Sequence, residues 1–325
     1  MQGKIGLEEH FAVQETIGDS QRFPNPDVWP IISKRLLDLM ELRINEMDEH
    51  GMQMMILSLN SPAIQAIHDR KRAVEVAKIA NDAMADAVAK YPKRFRGFAA
   101  LPMQDVDEAI KEMHRAVKEL GCVGVLVNGF SNIDDPNNYK YLDDPIYRPF
   151  WAEVEKLDVP FYMHPREPMP ENAKQCDGHP WLLGAAWTFG VETAVHTLRL
   201  MCSGIFDEYP KLKYVLGHLG EMLPFTIWRT QSRIQIENRG VPAKRPLYDY
   251  MKDNMYFTVS GQFRTQALWN TMMEFSPTRV LFATDYPFEQ VSTACEWFDN
   301  CTLSETDRYL IGRQNAIELF KLKDL

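Results

Sequence analysis

Eight short apolar runs recur along the chain, each followed by a polar or helical stretch, and this alternation limits the fold more than any other feature. The runs are Lys4–Phe11, Gln53–Leu59, Phe95–Leu101, Cys122–Asn128, Pro160–His164, Lys213–His218, Met255–Ser260 and Arg279–Asp285. Near-continuous apolar segments such as "CVGVLV" and "RVLFAT" suit strands covered on both faces, as parallel sheets are. Between the runs, Asp105–Leu120 carries Val106, Ala109, Ile110, Met113, Val117 and Leu120 at helical spacing, and Gly121 marks its end. "KRAVEVAKIANDAMADAVAKYP" has the same pattern. Eight βα units predict an α/β fold: a (β/α)8 TIM-type barrel forming one domain over residues 1–325, with loops inserted at the C-terminal strand face. The competing architecture is an open, doubly wound sheet. The strand count and the lack of G-x-G-x-x-G after the first strand favour the barrel.

Composition narrows the partners. The 325 residues are 45% hydrophobic, enough for a sizeable core, and carry a net charge of −9. An acidic surface argues against nucleic acid or an anionic membrane as partner, and any anionic substrate then needs local positive charge. No apolar stretch approaches a membrane span, and Glu8 and Glu9 interrupt the first apolar run, so no membrane segment or leader is expected. Five scattered cysteines without a C-x-x-C pair read as reduced thiols of a cytoplasmic protein. Two proline-rich stretches, "RFPNPDVWP" (22–30) and "PREPMPENAKQCDGHPW" (165–181), read as ordered excursions over one barrel face. Their aromatic residues, Phe23 among them, suit a flat apolar substrate.

Sorting polar residues by strand position exposes a possible site. Glu8 and His10 close the first strand and, two apart, share a face. His164 closes the fifth run, His218 the sixth and Asp285 the eighth, which puts all five at the rim where a barrel gathers its chemistry. Singly, each is as well explained by a hydrogen bond or an ion pair. Together, two carboxylates and two or three imidazoles suit one divalent cation, with imidazole favouring Zn, Mn or Fe. Glu221 follows His218 by three residues and can orient its ring or hold its proton. If "EMLPFTIWRTQSRI" is helical, Arg229 shares a face with Glu221 and can reach a substrate carboxylate; otherwise it is a surface arginine beside Trp228. His179, in the long fifth loop, either lines a pocket or braces the loop.

At this level of detail the chain resembles a known family. "GLEEHF", "VPFYMHPR", "VLGHLGEMLPF", "FATDYPFE" and "IGRQNAIELFKL" look like the decarboxylase branch of the amidohydrolase superfamily, over residues 1 to about 322. "EEHF", "ETIGDS" and "CDGHPWLLGAAWTFGVETAVHTLRLM" are most similar to its 2,6-dihydroxybenzoate (γ-resorcylate) type. The resemblance implies metal ligands at Glu8, His10, His164 and Asp285, a catalytic set of Asp285, His218 and Glu221, and substrate contacts at Arg229, Phe23 and His164. Asn128 stands where two-metal relatives carry a bridging lysine, so one ion is implied, Zn or Mn, and no organic cofactor. The implied reaction is reversible, non-oxidative decarboxylation of a small aromatic carboxylic acid, with CO2 or bicarbonate as co-substrate in reverse, by a homotetramer. Salicylate or 2,3-dihydroxybenzoate are alternative substrates. A metal-dependent hydrolase of a lactone or amide is the alternative of another class.

Overall fold

A computed structural model describes residues 1–22 and 24–323. Phe23, expected to meet the substrate, lies outside them. The eight expected runs all form parallel strands: β1 (Lys4–Phe11), β2 (Met52–Leu59), β3 (Phe95–Ala100), β4 (Gly124–Asn128), β7 (Phe161–His164), β8 (Tyr214–Leu216), β9 (Met255–Thr258) and β10 (Val280–Leu281). They hydrogen-bond in the order β1-β2-β3-β4-β7-β8-β9-β10, and a bridge between Leu7 and Ala283 links the last strand to the first. The sheet is a nearly closed (β/α)8 barrel. A small antiparallel hairpin, β5 (Ser131–Ile133) with β6 (Asp135–Lys140), follows β4 and has no counterpart among the expected elements.

The apolar patterning explains this arrangement. Along β2, Met54 and Ile56 point into the barrel with Ile5, Leu7, Phe98 and Leu126, while Met55 and Leu57 point outward. The outward residues meet helices such as Arg70–Lys90, whose Ala73, Ala77, Ala80 and Met84 form the facing stripe. A strand buried on both faces has no solvent side to mark with polar residues, hence the uninterrupted runs. At the N-terminal mouth, Ala316, Leu319 and Phe320 plug the interior, and Lys321 hydrogen-bonds Asp158 just ahead of β7. The opposite mouth, where the polar strand ends lie, is left for the site.

Two expectations are corrected. The eighth run was expected to be extended from Arg279 to Asp285, but its ladder covers only Val280–Leu281, an isolated bridge follows at Ala283, and Asp285 leaves the extended conformation with φ 63°. Glu221 does not share a helical face with Arg229. The helix is Leu223–Ile236, and the residues before it form a separate left-handed turn.

Candidate active site

β1 carries the first two groups by breaking its own alternation. Ile5 and Leu7 face inward, so strict alternation would send Glu8 outward. Instead Gly6 pairs with Met55 and Glu9 with Leu57, three β1 residues against two on β2, and Glu8 takes φ 61°. That bulge turns Glu8 inward and keeps His10 inward beside it. The donor atoms of Glu8, His10, His164 and Asp285 then all lie within 4.8 Å of one another. The His10 and His164 rings meet edge to face, 4.6 Å apart.

Each group is held from behind. The Tyr162 hydroxyl donates to Glu8 Oε2, and Thr258 Oγ1 reaches the same oxygen at 3.2 Å. Ser58 Oγ hydrogen-bonds His10 Nδ1 at 3.0 Å, which turns Nε2 toward Asp285, 3.3 Å from Oδ1. Glu8 Oε1 and His10 Nε2 are buried and, among the described residues, have no hydrogen-bond partner. Buried polar atoms are seldom left so, because each costs roughly 1–3 kcal/mol. Two carboxylates and two imidazoles, with inward lone pairs unused, fit a single divalent cation.

His218 and Glu221 stand beside this cluster. His218, Leu219, Gly220, Glu221 and Met222 all have positive φ, one left-handed turn that costs non-glycine residues about 1–2 kcal/mol each. Gly220 is required there, since a Cβ would run into Pro224 and Phe257. The turn folds Glu221 back so that its Oε1 lies 2.5 Å from His218 Nδ1, while His218 Nε2 is 3.6 Å from Glu8 and 3.9 Å from Asp285.

Charge distributes accordingly. Burial opposes ionisation of Asp285, but the imidazoles of His10 and His218 close beside it outweigh that and hold the carboxyl well below the usual aspartate range. Burial also disfavours a charged His218, yet Glu221 and Glu8 raise its pKa well above the ordinary value. Burial pushes His164 down, and neighbouring His10 pushes the same way. The surrounding charges thus favour a protonated His218 and ionised Glu8 and Asp285.

A family model described as amidohydrolase matches residues 28–322. The chain belongs to the amidohydrolase family. It is 53% identical to a gamma-resorcylate decarboxylase of Rhizobium sp. (strain MTP-10005) over 325 residues, 99% of each chain. Its fold superposes on a crystal structure of 2,6-dihydroxybenzoate decarboxylase complexed with 2,6-dihydroxybenzoate, with a TM-score of 0.97 and 53% identity over 99% of this chain and 100% of that one. A dihydroxybenzoic acid decarboxylase from Polaromonas sp. JS666, solved with manganese and the inhibitor 2-nitroresorcinol, gives a TM-score of 0.97 and 54% identity over 100% of this chain and 98% of that one.

In this amidohydrolase the cluster opens into a two-lobed pocket. An inner lobe of about 90 Å³ is walled by His10, His164, Pro165, Phe288, Ser20 and Ser61. An outer lobe of about 280 Å³ is walled by Glu221, Met222, Gly261, Gln262, Glu289, Trp187 and neighbours. Ala185, Phe189, His218 and Asp285 border both. Trp187 lines the outer lobe and Phe189 both. His179 lines neither: it is exposed, 5.2 Å from the Trp181 ring, and braces the loop. Arg229 is also exposed and lines neither lobe.

Sequence reading missed Tyr162, Thr258 and Ser58. Each had a signal. Tyr162 precedes His164 by two and so shares its face, while Ser58 and Thr258 are hydroxyls near the ends of otherwise apolar strands. The loop residues Gln262, Phe288 and Glu289 had none, because loop placement carries no period.

Proposed function

We propose that this amidohydrolase is a metal-dependent carboxy-lyase that removes CO2 from 2,6-dihydroxybenzoate to give resorcinol, and runs in reverse with CO2 or bicarbonate. The observation that carries the reading is the cluster of Glu8, His10, His164 and Asp285 set beside the His218–Glu221 pair. Full-length identity of 53% to a gamma-resorcylate decarboxylase supports the choice of substrate. The inner lobe, apolar at Phe288, Phe189, Ala185 and Pro165, suits an aromatic ring.

Losing CO2 directly would leave an electron pair in the plane of the ring. Protonating the carbon that bears the carboxylate avoids this, because the ortho oxygens share the positive charge. A divalent ion held by the four residues would orient the acid and lower the pKa of a phenolic hydroxyl. Manganese is supported by the Polaromonas relative, and zinc suits the same donors. The chain's residues do the rest. His218 stores the proton under the charge of Glu221 and Glu8, Asp285 passes it to the ring carbon, and Phe189 and Phe288 flank the ring. Direct donation by His218 is the second reading, favoured by the carboxylates of Glu221 and Glu8, which raise its affinity for a proton.

The exposed apolar residues Phe225, Trp228 and Ile236 on helix Leu223–Ile236, beside the pocket residue Met222, support self-association, and we take the assembly to be a homotetramer. Arg229 projects from this same exposed helix and serves as a carboxylate contact in the assembled form. Five free cysteines suit a reducing compartment such as the cytoplasm.

Incubation with 2,6-dihydroxybenzoate, salicylate and 2,3-dihydroxybenzoate in the presence of manganese, followed by product analysis, tests the proposal. Resorcinol formed fastest from the first acid is the expected result. Turnover of a lactone panel without any decarboxylation would favour hydrolysis instead.

A further inference from the structure

We propose that Glu9 is a positioning residue: its carboxyl clamps Thr284 across the barrel seam and so sets the spacing of the ion-holding groups on either side. The inference rests on the reading of Glu8, His10, His164 and Asp285 as the holders of a divalent ion. The seam between β1 and β10 has little backbone to fix it. Among the described residues it is crossed by the bridge of Leu7 with Ala283, which includes the bond from Leu7 N to Phe282 O at 3.1 Å, and by the bond from His10 N to Tyr286 O at 2.7 Å. Between those bonds both chains leave the extended conformation, at Glu8 with φ 61° and at Asp285 with φ 63°. These are the residues that must aim carboxylates at one point, and left-handed backbone at such residues persists only where the surroundings hold it.

The missing ladder bond is supplied by a side chain. Thr284 N–H donates to Glu9 Oε1 at 2.9 Å, and the Thr284 hydroxyl bonds Glu9 Oε2. Glu9 sits between Glu8 and His10, and Thr284 precedes Asp285, so this two-point contact ties three of the four groups together. Space for it is reserved: Glu9 is fully buried, and a Cβ at Gly6 would overlap Glu9 Oε1. Arg43 braces the outer side by donating to His10 O and lying 4.2 Å over the Tyr286 ring. Burying a carboxyl costs several kcal/mol against an apolar residue of the same size, so packing alone does not explain glutamate here.

The test is manganese binding to the full chain, followed by electron paramagnetic resonance without substrate, so its readout does not require turnover. Glu9→Ala is expected to weaken binding about tenfold or more, the range found when a group orienting a ligand is lost. Thr284→Val, nearly isosteric and safe for folding, weakens it in the same direction by less, and the double variant binds no more weakly than Glu9→Ala alone. Glu9→Gln, which offers the same two-point contact, restores affinity. Leu200→Ala, a core truncation away from the seam, lowers Tm without changing manganese affinity. Wild-type affinity in both Glu9→Ala and Thr284→Val overturns the clamp alone. An unmodified chain that binds no manganese overturns the ion-site reading and the clamp with it.

Discussion

In the proposed reaction Asp285 has two roles. Its Oδ1 faces His10 at 3.3 Å among the ion-holding groups, and its Oδ2 faces His218 at 3.9 Å, from which a proton can arrive. Gly261 makes room for the pair, since a Cβ there would come within 3.3 Å of both Asp285 Oδ2 and the His218 ring. A carboxylate held low in pKa between two imidazoles is a poor store for a proton, so the proposed path has Asp285 receive it from His218. Asp285→Asn keeps the shape and removes that capacity. Its expected effect is a fall in kcat of at least about a hundredfold with an unchanged circular dichroism spectrum. Near-normal turnover in the variant would remove Asp285 from the proton path.

At the scale of the element, what could be read in advance followed from periodicity. All eight barrel strands and the helix Val106–Lys118 were legible because burial on one or both faces writes itself into spacing. The strand-end position of Glu8, His10, His164, His218 and Asp285 was legible for the same reason. The β1 bulge was not, because a register shift changes no residue type. Nor was the left-handed turn at His218–Met222, which only Gly220 hints at. Hairpin β5–β6 was hidden by its exposed β6, "DPNNYK", a polar edge with no apolar alternation.

The loop after β1 adds a consequence for pH. Its start is pinned by Asn60, whose amide donates to Thr16 O and Ser20 Oγ at 2.9 Å each. Burial pushes the neighbouring Asp19 carboxyl up to about 6, against the opposing pull of Arg22 and Arg166. The folded chain therefore binds this proton more tightly than the unfolded one. That contribution to stability is full below about pH 4 and is lost as pH rises through about 6. Asp19→Asn is expected to raise Tm relative to the unmodified chain above pH 6 and not below pH 4, as read by thermal melts across that range. A Tm difference independent of pH would contradict the assignment.

For the whole molecule, two surface properties bear on function. The net charge of −9 leaves the attraction of an anionic acid to the local charge of the site, where neighbouring carboxylates favour a charged His218. Phe225 and Trp228 are 82% and 77% accessible, and the neighbouring helix Thr265–Phe275 also exposes Met273 and Trp269. Large apolar residues exposed in this way are what the proposed assembly would cover. Trp228→Glu is expected to shift the sedimentation velocity profile from tetramer toward monomer and to raise KM. A monomeric unmodified chain would contradict the proposed assembly.

Decarboxylation is proposed to depend on one ion held at the barrel rim by Glu8, His10, His164 and Asp285, residues from opposite ends of the chain. The most direct test is metal content measured together with activity, before and after chelation and after return of manganese. One equivalent of divalent metal per chain, loss of resorcinol formation on stripping and recovery on reloading are the expected results. Active protein that carries no metal, or that keeps its activity through chelation, would contradict it.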